Sequence, residues 1–239
     1  HPDSMNRTPR SGFTLIELLA VVALIAVVIA FAVPATSQIM KGSQMSQGAQ
    51  NLNDTLLYAR QLALTKNRPI EVRFYKFGDP DTPGEVADKP ELGKWRALQL
   101  FEVLENGAVL PIREMTRMPR GVIFQPDEYS TLLKEEIRPA IEAKEDKTAP
   151  ELPVDVNDKK VGRNYLWTGF RYLPDGSTDL PPVALENGAA TGSKAKEDRW
   201  YITLIGLTDE NKDIRQTNFF TLQVDPLAGT VKSFRPQAR

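Results

Sequence analysis

Residues 13–33 form a run of 21 in which Glu17 is the only charged side chain. Built as an α-helix at about 1.5 Å per residue, that run is roughly 30 Å long, the thickness of a bilayer's hydrocarbon core. Before it, residues 5–12 carry Arg7 and Arg10 and no acid. Cations on that flank keep the N-terminal end in the cytoplasm and send the rest of the chain outward. Met5 reads as the natural start, with residues 1–4 as an upstream remnant.

Three ordinary readings of such a run compete. It can be a plain membrane anchor. It can be a secretory signal, for which Ala30-Phe31-Ala32 offers a small-residue cleavage site. It can also be a buried core helix, although 21 residues is long for that. Glu17 argues against the first two, because a charge inside a membrane costs about 2.5–3.5 kcal/mol on insertion scales. Neither an anchor nor a disposable signal gains from that cost. A partner for the carboxylate accounts for it better.

Beyond the run the chain is polar and mixed. Over all 239 residues it is 41% hydrophobic and 26% charged with a net charge of −1, so no electrostatic bias draws the whole molecule to nucleic acid or anionic lipid. There is no cysteine, which excludes disulfides and thiolate chemistry. The one histidine, His1, stands at the extreme end. Histidine-based hydrolysis and ordinary His-ligated zinc therefore lack a residue. No phosphate-binding glycine loop, dinucleotide fingerprint or nucleophile elbow is present. The chain does not read as an enzyme.

Pro34 has no N–H to donate and is expected to kink the helix rather than end it. Met45, Ala49, Leu52, Leu56, Ala59 and Ala63 then recur at steps of 4, 3, 4, 3 and 4, one face of an amphipathic helix. Gly42 and Gly48 each weaken a helix by about 1 kcal/mol relative to alanine, so residues 41–48 are expected to be flexible. The helix should stop near Asn67, because Pro69 disfavours helix at Arg68.

Alternation over residues 70–77 predicts a half-buried strand, and residues 95–104 predict another. Asn106-Gly107 is a tight-turn pair, and residues 108–113 read as the returning strand of a hairpin. Further strands are predicted over residues 121–124, 165–172, 200–207, 218–224 and 230–234. Residues 127–160 are crowded with acids, lysines and prolines and read as a charged surface insertion, with a helix over 129–144. The expected architecture is α+β: a long N-terminal helix, membrane-spanning over 13–33 and amphipathic to 67, packed on an antiparallel sheet built from residues 68–239.

Gly12-Phe13-Thr14-Leu15-Ile16-Glu17, with its short basic leader, resembles the type IV prepilin processing motif. That resemblance implies a leader of residues 1–12, removed by a prepilin peptidase that cuts after Gly12 and methylates the new N-terminus at Phe13. Glu17 matches the family's acid five residues past the cut, and Pro34 its kinking proline. Other subunits of a pilus or pseudopilus, an inner-membrane assembly platform and, before assembly, the lipid bilayer are the implied partners. The implied place is the bacterial inner membrane, crossed once, with the C-terminal domain outside the cytoplasm. In such fibres the freed amine of Phe13 is expected to pair with a neighbour's glutamate.

The later chain resembles the H-type minor pseudopilins of type II secretion and related minor pilins (GspH/FimT-like). The resembling stretches are Tyr58-Ala59-Arg60-Gln61-Leu62-Ala63 running into Arg68-Pro69-Ile70, Phe170 with Pro174-Asp175-Gly176, and Asp225-Pro226 with Gly229-Thr230-Val231. The charged insertion departs from the compact H-type pattern. A further likeness is to the pilin-like member of the Verru_Chthon cassette. A secretion pseudopilus subunit is the first functional expectation, and a minor pilin that binds DNA or another ligand is the alternative. Lys232, Arg235 and Arg239 near the C-terminus can grip a phosphate backbone or can be a solvated basic tail. No cofactor is expected. Asp79 with Asp81, or Asp175 with Asp179, can hold calcium weakly or can be plain loop carboxylates.

Overall fold

The computed structural model describes residues 13–86, 89–126, 129–133, 165–181, 200–214 and 217–235, and omits the side chains of 30–39 and of Pro90. The chain divides into two compact units, residues 1–41 and 42–239. One helix, α1, runs over Leu15–Lys66 and supplies the described part of the first unit and the central rod of the second.

In the first unit every large apolar side chain from Phe13 to Ile29 is exposed, Phe13 at 83%. Soluble chains rarely leave contiguous apolar surface of this extent uncovered. Among the described residues no helix is long and apolar enough to cross a membrane. The described side chains stop at Ile29, short of the expected end of the span at Val33. The helix does not end at Pro34, but that side chain, and with it the expected kink, lies outside the described residues.

In the second unit the predicted stripe is the buried one: Leu52, Leu56, Ala59 and Ala63 are fully inaccessible, with Met45 and Ala49 nearly so. The sheet supplies the opposing surface, with Val72 and Phe74, Leu98 and Leu100, Phe124, Phe170, Ile202, Leu204 and Leu222 in the same cluster. Burying a leucine fully in such a cluster makes Leu52→Ala cost about 2–5 kcal/mol, because the cavity left behind adds to the lost transfer energy. A thermal melt of the full chain in detergent should show a lowered transition; an unchanged melt would contradict this packing. The helix stops where expected. Asn67 takes a left-handed conformation at φ 51° just past Lys66, and Pro69 follows two residues on.

Residues 41–48 are helical, and their two glycines differ. Gly42 has open space around it. Gly48 is buried, and a Cβ there would come within 3.3 Å of both Pro119 and Val122. Gly48 therefore permits close packing between the helix and the chain before strand 122–124.

Among the described residues the sheet has nine antiparallel strands: β1 (Ile70–Phe77), β2 (Lys94–Val103), β3 (Val109–Pro111), β4 (Thr116–Arg117), β5 (Val122–Phe124), β6 (Leu166–Tyr172), β7 (Trp200–Gly206), β8 (Phe220–Val224) and β9 (Val231–Phe234). Their order is β6-β1-β2-β5-β7-β8-β9. Strand β2 is too long for one partner on its second edge, so β3, β4 and β5 share that edge in series. Asn106-Gly107 makes the β2–β3 turn, with Gly107 at φ 81°. The two-residue strand β4 has no sequence signal of its own, being ordered by its partner.

Residues 130–133 correct the reading of 127–160 as a surface decoration, because all four are buried. The reason lies in β7. Strand β5 pairs with it only at residues 204–206, and among the described residues no strand pairs with its first half on that side. Side chains take those backbone donors: Ser130 Oγ accepts from Thr203 N at 2.9 Å and Thr131 Oγ1 from Tyr201 N at 2.9 Å. Leu132 and Leu133 follow into the core. The rest of the insertion, including most of the predicted helix over 129–144, lies outside the described residues.

The sheet face away from the helix carries a second cluster around Tyr75, Phe77, Ala97, Phe101 and Tyr165. Here the Arg73 guanidinium lies between Phe101 and Trp167, at 4.4 and 4.0 Å from the ring centres. Buried Glu71 takes a bond from Arg73 and another from Arg171 Nε at 2.7 Å.

Candidate functional site

The N-terminal end of α1 is built by four residues. Thr14 is not helical, and its carbonyl accepts the first helical bond, from Leu18 N at 3.2 Å. Its hydroxyl accepts from Glu17 N at 3.3 Å. In return Glu17 Oε2 accepts from Thr14 N at 2.9 Å and from Thr14 Oγ1 at 2.7 Å. This is a reciprocal cap, which satisfies backbone donors that the first helical turn leaves open. The signal was present in the sequence as Thr14-Leu15-Ile16-Glu17, three residues apart, but it was hidden inside the longer processing motif. Glu17 therefore has a local use in a single chain, independent of any neighbour. Phe13 lies just outside the cap, exposed and non-helical, while Gly12 and the leader lie outside the described residues.

The two late turns and the helix motif were read separately, and the structure brings them together. Arg60 Nε donates to Gly176 O at 3.2 Å and to Ala228 O at 3.0 Å. Gly176 and Gly229 both have positive φ, and a Cβ on Gly229 would meet Gly176 O at 2.0 Å. Thr178 N donates to Pro226 O at 2.9 Å, so the turn after β6 is docked onto the turn after β8. Burial pushes the nearby Tyr172 hydroxyl well above its ordinary range, although the Arg60 charge opposes that rise.

Asp79, Asp175 and Asp179 each accept hydrogen bonds within the chain. Asp79 Oδ2 accepts from Arg96 Nη1 at 3.1 Å and its Oδ1 from Asp81 N at 3.0 Å, while Glu85 chelates Arg96 Nη2 at 2.6 Å. Asp175 Oδ1 accepts from the backbone and hydroxyl of Ser177, which hold its carboxyl below the usual range. Asp179 Oδ1 accepts from Arg171 N at 2.7 Å, and burial raises its carboxyl. At the helix-to-sheet corner Glu102 joins Lys66 and Arg68, and the Lys66 hydrogen bond leads in holding it below the usual range. Of the basic tail, Lys232 is exposed on edge strand β9, Arg235 is exposed and reaches Ser46 Oγ at 3.5 Å, and Arg239 lies outside the described residues. A cleft of about 280 Å³ between α1 and β2 is lined mainly by polar residues, among them Asn51, Asp54, Tyr58, Arg113 and Glu114. It falls below the size of most small-molecule sites.

Residues 7–33 match the prokaryotic N-terminal methylation motif. Among solved structures the chain is similar to the minor pseudopilin EpsH of the type 2 secretion system of Vibrio cholerae. That likeness has 12% identity and a TM-score of 0.39, and covers 82% of this chain and 99% of EpsH. It is also similar to the type IV minor pilin FimU of Pseudomonas aeruginosa, at 14% identity and a TM-score of 0.40, over 84% of this chain and 98% of FimU. Overlaps this loose do not select a subfamily. No curated protein matches the chain in sequence.

Proposed function

We propose that this chain is a minor structural subunit of a type II secretion pseudopilus or a closely related pilus. On this reading it is cut after Gly12 and joins the fibre through α1. The single observation that carries the proposal is the methylation motif over residues 7–33, which sets one acid, Glu17, in an otherwise uncharged apolar run. Two features support it. The apolar side chains from Phe13 to Ile29 are all exposed, as a segment that exchanges lipid for neighbouring helices requires. The cap at Thr14 leaves Phe13 outside the helix, and a protease needs non-helical backbone at the bond it cuts.

The order of events follows from charge. In the membrane, Glu17 carries its cost with Thr14 as its partner among the described residues. Cleavage frees an amine on Phe13, and in the fibre a neighbour's amine meets the carboxylate. Separating such a desolvated pair by deleting one member typically costs about 3–5 kcal/mol, so the pair fixes the register between subunits. Intact-mass and N-terminal analysis of the chain from its native cell tests the reading. A start at Phe13 with one added methyl group is expected. A chain that retains Arg7 and Arg10, or one that begins at Val33 after the small-residue site, would refute it.

A further inference from the structure

The final eleven described residues form an element that differs from the rest of the sheet in how it is held. Of residues 225–235 only Pro226 and Gly229 are buried, and Val231 is half-buried. Hydrophobic burial therefore contributes little here. The segment is held mainly by hydrogen bonds, and apart from its pairing with β8 most of them gather at one end. There, Arg60 Nε takes Ala228 O and Gly176 O together, and Thr178 donates through both N and Oγ1 to Pro226 O, at 2.9 and 3.0 Å. At the far end the 3.5 Å approach of Arg235 to Ser46 is long for a hydrogen bond. Among the described residues strand β9 pairs only with β8, over four residues.

We propose that residues 225–235 are a strap along α1, that Arg60 is its latch, and that the strap opens as a unit with turn 173–178 while the β6-β1-β2 part of the sheet stays closed. Segments with little buried apolar surface and localised ties populate the low end of a protein's opening free energies. A charge-assisted donor serving two carbonyls at once ties both turns to α1, beside the Thr178 bonds that join the turns to each other. Opening would bare the outer N–H and C=O row of β8 and the flank of α1 between Ser46 and Arg60, an unpaired edge of the kind a folded protein normally keeps covered. The inference stands apart from the assembly reading, because it rests on contacts of the sheet unit alone.

Hydrogen exchange on the full chain in detergent micelles tests it. In Arg60→Met, amides in 173–178 and 225–235 should exchange about tenfold faster or more, while those in β1 and β2 change by less than about twofold. Arg60→Lys, which keeps the charge but loses the planar fork, should fall between that variant and wild type. If Arg60→Met does not fold, Thr178→Val, which removes the hydroxyl tie from the opposite side, should give the same regional pattern. Equal acceleration in every strand would make Arg60 a general stabiliser and overturn the proposal. Unchanged exchange in the strap would overturn it as well.

Discussion

Gly12→Val is expected to leave the chain unprocessed: no species beginning at Phe13, no N-terminal methyl group, and incorporation into fibres reduced to background. The argument is steric. The bond to be cut joins Gly12 to Phe13, and the helix begins only at Leu15 behind the cap at Thr14. On the described side of that bond Phe13 is exposed and non-helical. A residue without Cβ lets backbone approach backbone as closely as possible there, and a β-branched residue blocks that approach. Gly12→Ala adds one methyl group and should slow processing without abolishing it. Intact mass separates the outcomes directly, since the uncut chain keeps its leader. Full processing of Gly12→Val would remove Gly12 from the site.

The sequence made some parts of this molecule legible and hid others for identifiable reasons. The buried stripe of α1 was readable because helical geometry fixes which residues share a face, and Leu52, Leu56, Ala59 and Ala63 needed no knowledge of the sheet. Asn106-Gly107 and Asn67-Arg68-Pro69 were readable because their backbone demands are local. Strand β4 and residues 130–133 were not, since each is ordered by an edge that some distant strand leaves unpaired. The meeting of Arg60 with Gly176 and Ala228 spans 116 and 168 residues of chain, and no local pattern encodes that. Asp79 looked free in the sequence, but its cation comes from Arg96 on β2. For the N-terminal end the position is reversed: the methylation motif is wholly local, so it can be read from residues 7–33 alone. What escaped was the cap, because Thr14 and Glu17 also lie within the longer methylation motif.

With an observed cap and a proposed pairing on one carboxylate, Glu17 is the most informative position to change. Glu17→Ala removes both the charge and the acceptor that Thr14 N and Oγ1 share. Loss of a cap at a helix start costs about 1 kcal/mol. Glu17→Gln keeps an acceptor at the same place and removes only the charge. If the carboxylate serves mainly as a cap, Gln should behave as wild type and Ala should be mildly impaired. If it serves to meet a neighbour's amine, both variants should be cut normally after Gly12. Both should then fail at assembly, with fibre-bound subunit reduced on the order of a hundredfold or more, the equivalent of losing about 3–5 kcal/mol of pairing. The second outcome is the one expected here. A neutral side chain at this site is easier to carry in lipid, so both variants should also be held in the membrane at least as well as wild type. Quantifying the membrane and sheared-fibre fractions of the two variants side by side separates cap from pair. Incorporation of Glu17→Gln at the wild-type level would end the pairing account while leaving the processing account intact.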